Sequence, residues 1–351
     1  MKRNKGLWQL LLLPILVLSL VGCSYSGQSA QVAKPDSDLP LTDQFESVSR
    51  IADEYLSNLK LVSLAPEQLY QKVVLGQDAQ YFLVDIRANQ DFVNSNIRGS
   101  VSIPYNQTAS SQKLASLPKD KTLVIIDYNG HSAAQTAATW NLLGYRAVPL
   151  QYGIQGWTHE EAPAGYEAFP SQALVNPLVK NEAALEQYKF PELKYAQGKT
   201  EEYILETSAT YLDRNYKGFI TAEDLLGVLQ QGPESDYYMV DIREQQHYQN
   251  GHLEGSVNIP LAELADLEML NHLPLNKKIV LIGYDGMDAS QGTRVLVTLG
   301  YDAVALKYGM SYWHGDEKVT GISPIHNLVR DYYELSPLNF VQPSTGAAGC
   351  G

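Results

Sequence analysis

The sequence predicts an α/β fold in two copies, each a parallel sheet flanked by helices on both faces. Three observations predict it. The segment YFLVDIRANQDFVNSNIRGSVSIPY from Tyr81 returns from Tyr237 as YYMVDIREQQHYQNGHLEGSVNIPL, identical at twelve of twenty-five positions. The register then holds without a gap, with Asp85 and Asp241, and Trp157 and Trp313, each 156 residues apart. Repetition at a fixed long period signals repeated structural units. Within each unit, short continuous apolar runs alternate with helix-length segments, the pattern of strands covered on both faces by crossover helices.

The elements follow in order. Upstream, SLAPEQLYQKV from Ser63 matches FITAEDLLGVL from Phe219. A helix is expected to start near Pro66, which suits a first helical turn, and its counterpart near Thr221, with Asp224 three residues on as a variant capping pattern. The runs YFLVDI and YYMVDI are too continuous to be half exposed and read as buried strands. A second strand, GSVSIP or GSVNIP, is ended by Pro104 or Pro260. The third, TLVIID or KIVLIG, runs into a tight loop. The helix after it, from Ala133 to Leu143 or from Ser290 to Leu299, stops at Gly144 or Gly300, suited to a left-handed C-cap. RAVPLQ or DAVALK forms a fourth strand, leading to YGIQGW or YGMSYW. Working loops of such sheets lie at the strands' carboxyl ends.

The ends carry different signals. Lys2, Arg3 and Lys5 precede an apolar run from Leu7 to Gly22 that is shorter than the roughly 20 residues a bilayer span needs, so residues 1–22 read as a secretory signal peptide. Leu20-Val21-Gly22-Cys23 resembles the lipobox of bacterial lipoproteins, which implies that Cys23 is diacylated. Residues 23–44 then form a polar, flexible tether. The expected location is the cell envelope, lipid-anchored on the extracytoplasmic side of a membrane, periplasmic or cell-surface. Removing the three basic residues takes the net charge from −13 to about −16, which argues against nucleic acid as a partner. Cys23 and Cys350 are the two cysteines of the chain, so with Cys23 lipidated no intramolecular disulfide is expected.

Residues 45–165 are assigned to the first domain, 166–200 to a bridging strap lying along it, 201–325 to the second domain, and 326–351 to a C-terminal extension with a flexible cysteine-containing tail. These motifs, in this order, resemble the rhodanese-like domains. The likeness rests on Val84 to Arg87, Gly99 to Pro104, Leu143 to Tyr145 and Tyr152 to Trp157. It rests again on Val240 to Arg243, Gly255 to Pro260, Leu299 to Tyr301 and Tyr308 to Trp313. Tandem rhodaneses resemble thiosulfate sulfurtransferases, in which a cysteine ending the third strand takes sulfane sulfur as a persulfide, cradled by backbone N–H groups and flanked by a basic residue.

Such chemistry needs a thiolate, with donors and positive charge to depress its pKa. At the matching place copy one has Asp127, followed by Tyr128, Asn129, Gly130, His131 and Ser132; copy two has Gly283, followed by Tyr284, Asp285, Gly286, Met287 and Asp288. Neither loop contains cysteine, lysine or arginine. A carboxylate aimed into such a nest satisfies its donors internally and repels an anionic donor. Copy one therefore reads as self-occupied and copy two as acidic, with Gly283 leaving room where a thiol or persulfide could rest. Two further readings of the first loop stand beside this one: Asp127 as a plain helix cap worth about 1 kcal/mol, and a small binding pocket.

His131 reads as a solvated loop histidine, with proton transfer or ligand binding as the alternative. His252 is expected to make a local hydrogen bond. His314, Asp316 and Glu317 lack the spacing of a metal site, and neither metal nor cofactor is expected. Tyr128 and Tyr284 occupy matching positions and suit a pocket rim. Cys350 follows a run of small residues and belongs on a mobile arm; it is either a harmless thiol or the carrier of what the loops lack. The functional expectation is a catalytically inactive module for an unknown protein or small-molecule partner in sulfur or redox chemistry, with sulfur transfer through Cys350 as the alternative.

Overall fold

The computed structural model describes residues 42–158, 168–214, 218–230, 232, 235–329 and 331–335. The segment expected to be a signal peptide, Cys23 and Cys350 lie outside the described residues. Copy one contains β1 (Tyr81–Asp85), β2 (Val101–Ser102), β3 (Thr122–Ile126) and β4 (Arg146–Pro149), all parallel, in the order β2-β1-β3-β4. Copy two contains β5 (Phe219–Ile220), β6 (Tyr237–Asp241), β7 (Val257–Asn258), β8 (Lys278–Ile282) and β9 (Ala303–Leu306), parallel in the order β5-β9-β8-β6-β7. The extra strand has a vestige in copy one, the parallel bridge between Leu64 and Leu150. Both central strands are sealed: Leu123 to Ile126 and Ile279 to Ile282 are fully buried, as their unbroken apolar sequences require.

Among the described residues, the five longer helices are α1 (Asp43–Ser57), α2 (His131–Leu142), α3 (Thr200–Asp213), α4 (Ala222–Leu229) and α5 (Met287–Thr298). Thr221 caps α4 by accepting the Asp224 N–H at 3.1 Å, the pattern expected from the sequence. Past α2 and α5, Gly144 and Gly300 adopt φ of 80° and 92°, the left-handed conformation that glycine takes without steric cost. The helices after the third strands begin earlier than expected, at His131 and Met287, because Gly130 and Gly286 are their N-caps.

The two copies form one body around α2 and α5, which pack against each other. Each leading helix crosses to the opposite copy. Helix α1, on the side of copy one in sequence, rests on the Leu261–Glu263 turn of copy two, whereas α3 rests on the matching Tyr105–Gln107 turn of copy one. Phe45, Val48, Ala52 and Leu56 of α1 therefore share a core with Val240, Ile279 and Leu296 of copy two. Burial of these apolar side chains, at about 1.5–3 kcal/mol each, ties the copies together through non-local contacts.

The strap takes a different course from the expected one. It lies along copy two rather than copy one: Leu174 N–H donates to the Tyr312 carbonyl at 2.8 Å, Val179 pairs with His252, and Tyr188 N–H donates to the Asn271 carbonyl at 2.7 Å. Leu174 and Leu178 pack on the copy-two core, and the Phe190 ring lies tilted against that of Phe45 of α1, centroids 5.1 Å apart.

Candidate functional site

The two loops after β3 and β8 lie at the carboxyl ends of the central strands, and both are buried where the copies meet. In copy one the Asp127 carboxylate turns into its own loop. Its Oδ1 accepts the Gly130 N–H at 2.6 Å and its Oδ2 accepts the Ala133 N–H at 3.1 Å. Asp127 is 2 % exposed; burial pushes its carboxyl up to about 6, partly resisted by the N–H groups it accepts from. Asn129 adds a second cap, its Oδ1 accepting the His131 N–H at 3.3 Å.

Copy two fills the same cradle by another route. A methyl group built on Gly283 would overlap the Asp288 carboxylate, so the space expected beside Gly283 is already occupied. Asp288 Oδ2 accepts the Tyr284 N–H at 2.7 Å and its Oδ1 accepts its neighbour Ala289 N–H at 2.8 Å. Asp285 accepts the Met287 N–H at 3.0 Å and reaches across to Gln151 of copy one, whose Nε2–H donates at 2.9 Å. Burial is the first cause that raises both carboxyls, and for Asp288 the Asp285 charge adds to it. The second cradle is thus acidic, as expected, and also self-filled.

His131 is not a solvated loop residue. It is the first residue of α2 and is fully buried. It sits in the junction, Nδ1 at 2.7 Å from Ser290 Oγ and its ring against Phe219 and Tyr308. Burial, with the Lys307 charge adding to it, drives its pKa down to about 3, so the imidazole is neutral. Met287, its partner in the repeat, is equally buried. The two side chains interlock: a methyl on Gly286 would meet His131 Cε1 at 2.9 Å, and one on Gly130 would meet Met287 Sδ at 2.5 Å. Each loop needs its glycine for a positive φ, 90° and 85°, and for the close approach of the other copy.

Tyr128 and Tyr284 bind the loops to the turns after β1 and β6 rather than framing an opening. The Tyr128 hydroxyl donates to Asp91 and accepts the Ala88 N–H at 3.2 Å; that of Tyr284 accepts the Glu244 N–H at 3.2 Å and pairs with His247 at 2.6 Å. Ser132, the remaining position of the first loop, is half-buried. His252 makes the expected local bond, Nδ1 to the Tyr248 carbonyl at 2.8 Å. Asp316 caps the short helix Glu317–Thr320 while His314 bonds to the Asn176 carbonyl.

Sequence reasoning missed two sets of residues that hold the site. Asp85 with Arg87, and Asp241 with Arg243, form ion pairs at 2.8 and 2.6 Å with side chains wholly excluded from water. The repeated DIR is their signal. Farther in, Tyr55 of α1 donates to Gln291 Oε1, and Gln291 Nε2–H donates to the Val62 carbonyl at 2.8 Å. Tyr211 and Gln135 hold the matching places, 156 residues from Tyr55 and Gln291, so the repeat reaches farther upstream than the YFLVDI match suggests. Arg294 lies between, its guanidinium 3.8 Å from the Tyr211 ring centroid.

Two parallel sheets, each with a backbone cradle beyond its central strand, agree with the match to the rhodanese-like domain, which covers residues 65–160 and 221–316. The chain belongs to the rhodanese-like domain family. Among relatives, it is 30% identical over 77 residues to the thiosulfate sulfurtransferase GlpE of Shewanella oneidensis, covering 22% of this chain and 74% of that protein. It is 28% identical over 164 residues to MoeZ of Mycobacterium tuberculosis, a probable adenylyltransferase/sulfurtransferase, covering 45% of this chain and 40% of that protein. The chain thus spans less than half the length of this second relative. Among solved structures, a thiosulfate sulfurtransferase of Pseudomonas aeruginosa matches at 17% identity over 75% of this chain and 46% of that one, with a TM-score of 0.27. SSP1007 of Staphylococcus saprophyticus matches at 26% identity over 30% of this chain and 97% of its own, with a TM-score of 0.24. Rhodanese-like domains and sulfurtransferase relatives together support a sulfur-related function.

Proposed function

We propose that this rhodanese-like protein is a catalytically silent tandem module, anchored through lipid on Cys23 at the extracytoplasmic side of a membrane, that serves as a binding or scaffolding partner in sulfur or redox chemistry. The observation that carries the silence is the double self-occupation of the cradles. Asp127 and Asp288 direct carboxylates at the N–H groups that would otherwise receive an anionic sulfur donor, and a negative charge there repels thiosulfate. No side chain in either loop offers the polarisable, ionisable sulfur needed for a covalent sulfur adduct. The lipid anchor rests on the leader and on Leu20-Val21-Gly22-Cys23.

A second reading is favoured by the thiosulfate sulfurtransferase among the relatives: Cys350, the one thiol left after lipidation, carries sulfane sulfur. Production of thiocyanate from thiosulfate and cyanide separates the two. The silent reading predicts no turnover above the protein-free rate. Turnover lost in Cys350→Ser replaces it with the carrier reading.

A further inference from the structure

Copy one closes a pocket that copy two leaves open. In copy one, the helix Gly153–Trp157 ends in Trp157, whose Nε1–H donates to the Glu334 carbonyl at 3.2 Å. The arriving segment pairs the Tyr333 N–H with the Trp157 carbonyl at 2.7 Å. Its Tyr333 ring stacks on Tyr70, centroids 4.3 Å apart and planes at 20°, and lies 4.9 Å from the Trp157 ring. A ring and a carbonyl acceptor therefore complete the site.

In copy two the strap takes the same backbone edge, the Asn176 N–H donating to the Trp313 carbonyl at 3.2 Å. Asn176 thus stands where Tyr333 stands in copy one, and Leu226 stands where Tyr70 does. Neither brings an aromatic ring. Trp313 is fully buried, yet its Nε1–H has no partner, and neither has the buried Nδ2 of Asn176. A cavity of about 620 Å³ has Trp313 in its wall, together with Leu226, Leu229, Tyr237 and Met239, and Pro177 of the strap. Its size falls within the range of roughly 300–1,000 Å³ usual for small-molecule sites, and apolar walls with a few convergent polar groups are what such sites use. An indole N–H buried without an acceptor is costly, so an occupant that supplies one gains affinity. Because the strap already holds the backbone edge, what is missing is a ring and an acceptor, not a strand. Lys277 and Glu254, both at the cavity, oppose each other in charge and select for neither sign.

We propose that copy two carries a binding site for a small monocyclic aromatic molecule with a hydrogen-bond acceptor, held in the cavity beside Trp313 and supplying the ring and the acceptor that Tyr333 and Glu334 supply in copy one. Binding at this cavity does not depend on whether the cradles are silent. The test is a titration of the ¹⁵N-tryptophan-labelled full chain with millimolar N-acetyl-tyrosine amide, following the indole N–H signals by NMR, with N-acetyl-alanine amide as control. A saturable shift of the Trp313 signal is expected, assigned by its absence in Trp313→Phe, while the Trp157 signal stays still. Asn176→Tyr, which gives copy two the ring that copy one uses, is expected to abolish the response and raise the melting temperature. No saturable shift at Trp313, an equal shift with the alanine amide, or an undiminished response in Asn176→Tyr overturns the proposal.

Discussion

Replacing Asp127 by alanine isolates what the first cradle is built to do. The substitution strips the acceptor from two buried backbone donors, Gly130 N–H at 2.6 Å and Ala133 N–H at 3.1 Å. Buried donors left unpaired cost about 1–3 kcal/mol each. Removing a carboxylate that burial disfavours offsets part of this, leaving a net destabilisation of about 1–3 kcal/mol at about pH 8. The pH dependence is the sharper signature. The folded-state pKa of Asp127, about 6, lies above its ordinary 3.8, so the folded protein holds the proton more tightly than the unfolded chain. That contribution is fully present below the ordinary value and is lost as pH rises through about 6; its full size, 2.2 pKa units, is about 3 kcal/mol. Between about pH 8 and about pH 5 it grows by roughly 1.4 kcal/mol. Asp127→Ala has no such term, so its deficit relative to the parent is expected to widen by that amount on acidification. Urea denaturation of both proteins at the two pH values measures it. A deficit that is constant, or that narrows at the lower pH, refutes the cradle as a site of costly buried charge.

The parent protein should itself become more stable as pH falls from about 8 toward 5, since Asp127, Asp285 and Asp288 are all raised. His131 opposes them: its folded value is depressed to about 3, so its contribution is present above its ordinary pKa and fades as pH falls. The three carboxyls outweigh it, and thermal melts across that range read the net sign. Met287→Ala should destabilise by about 2–5 kcal/mol, the range for emptying a buried site of this size, and should do so in one cooperative transition because Met287 lies at the junction of the copies. Separate melting of the two copies in calorimetry would show that the junction does not couple them.

Much of the fold was legible because its signals are local and repeated. The alternation of sealed strands and helices, the glycines after α2 and α5, and the Thr221 cap each follow from a few neighbouring residues. The self-occupied first cradle was legible as well, since a carboxylate at a nest of N–H groups has few other places to turn. What escaped was set by which copy each segment meets. Helix α1 is amphipathic wherever it packs, and nothing in Phe45, Val48 or Ala52 distinguishes the turn at Leu261–Glu263 from its twin at Tyr105–Gln107. The strap's leucines likewise promise burial without naming a partner. His131 was misplaced for the same reason: a histidine after Gly130 looks solvent-facing until a second loop, with its own glycine at the matching place, arrives to cover it. Yet the decisive clue was present in the register. His131 and Met287 are repeat partners, as are Gln135 and Gln291 and, beyond the obvious match, Tyr55 and Tyr211. When equivalent buried positions on two copies carry side chains of different chemistry, as His131 and Met287 do, those positions are freed from a common internal role and are the ones to place at the interface between the copies.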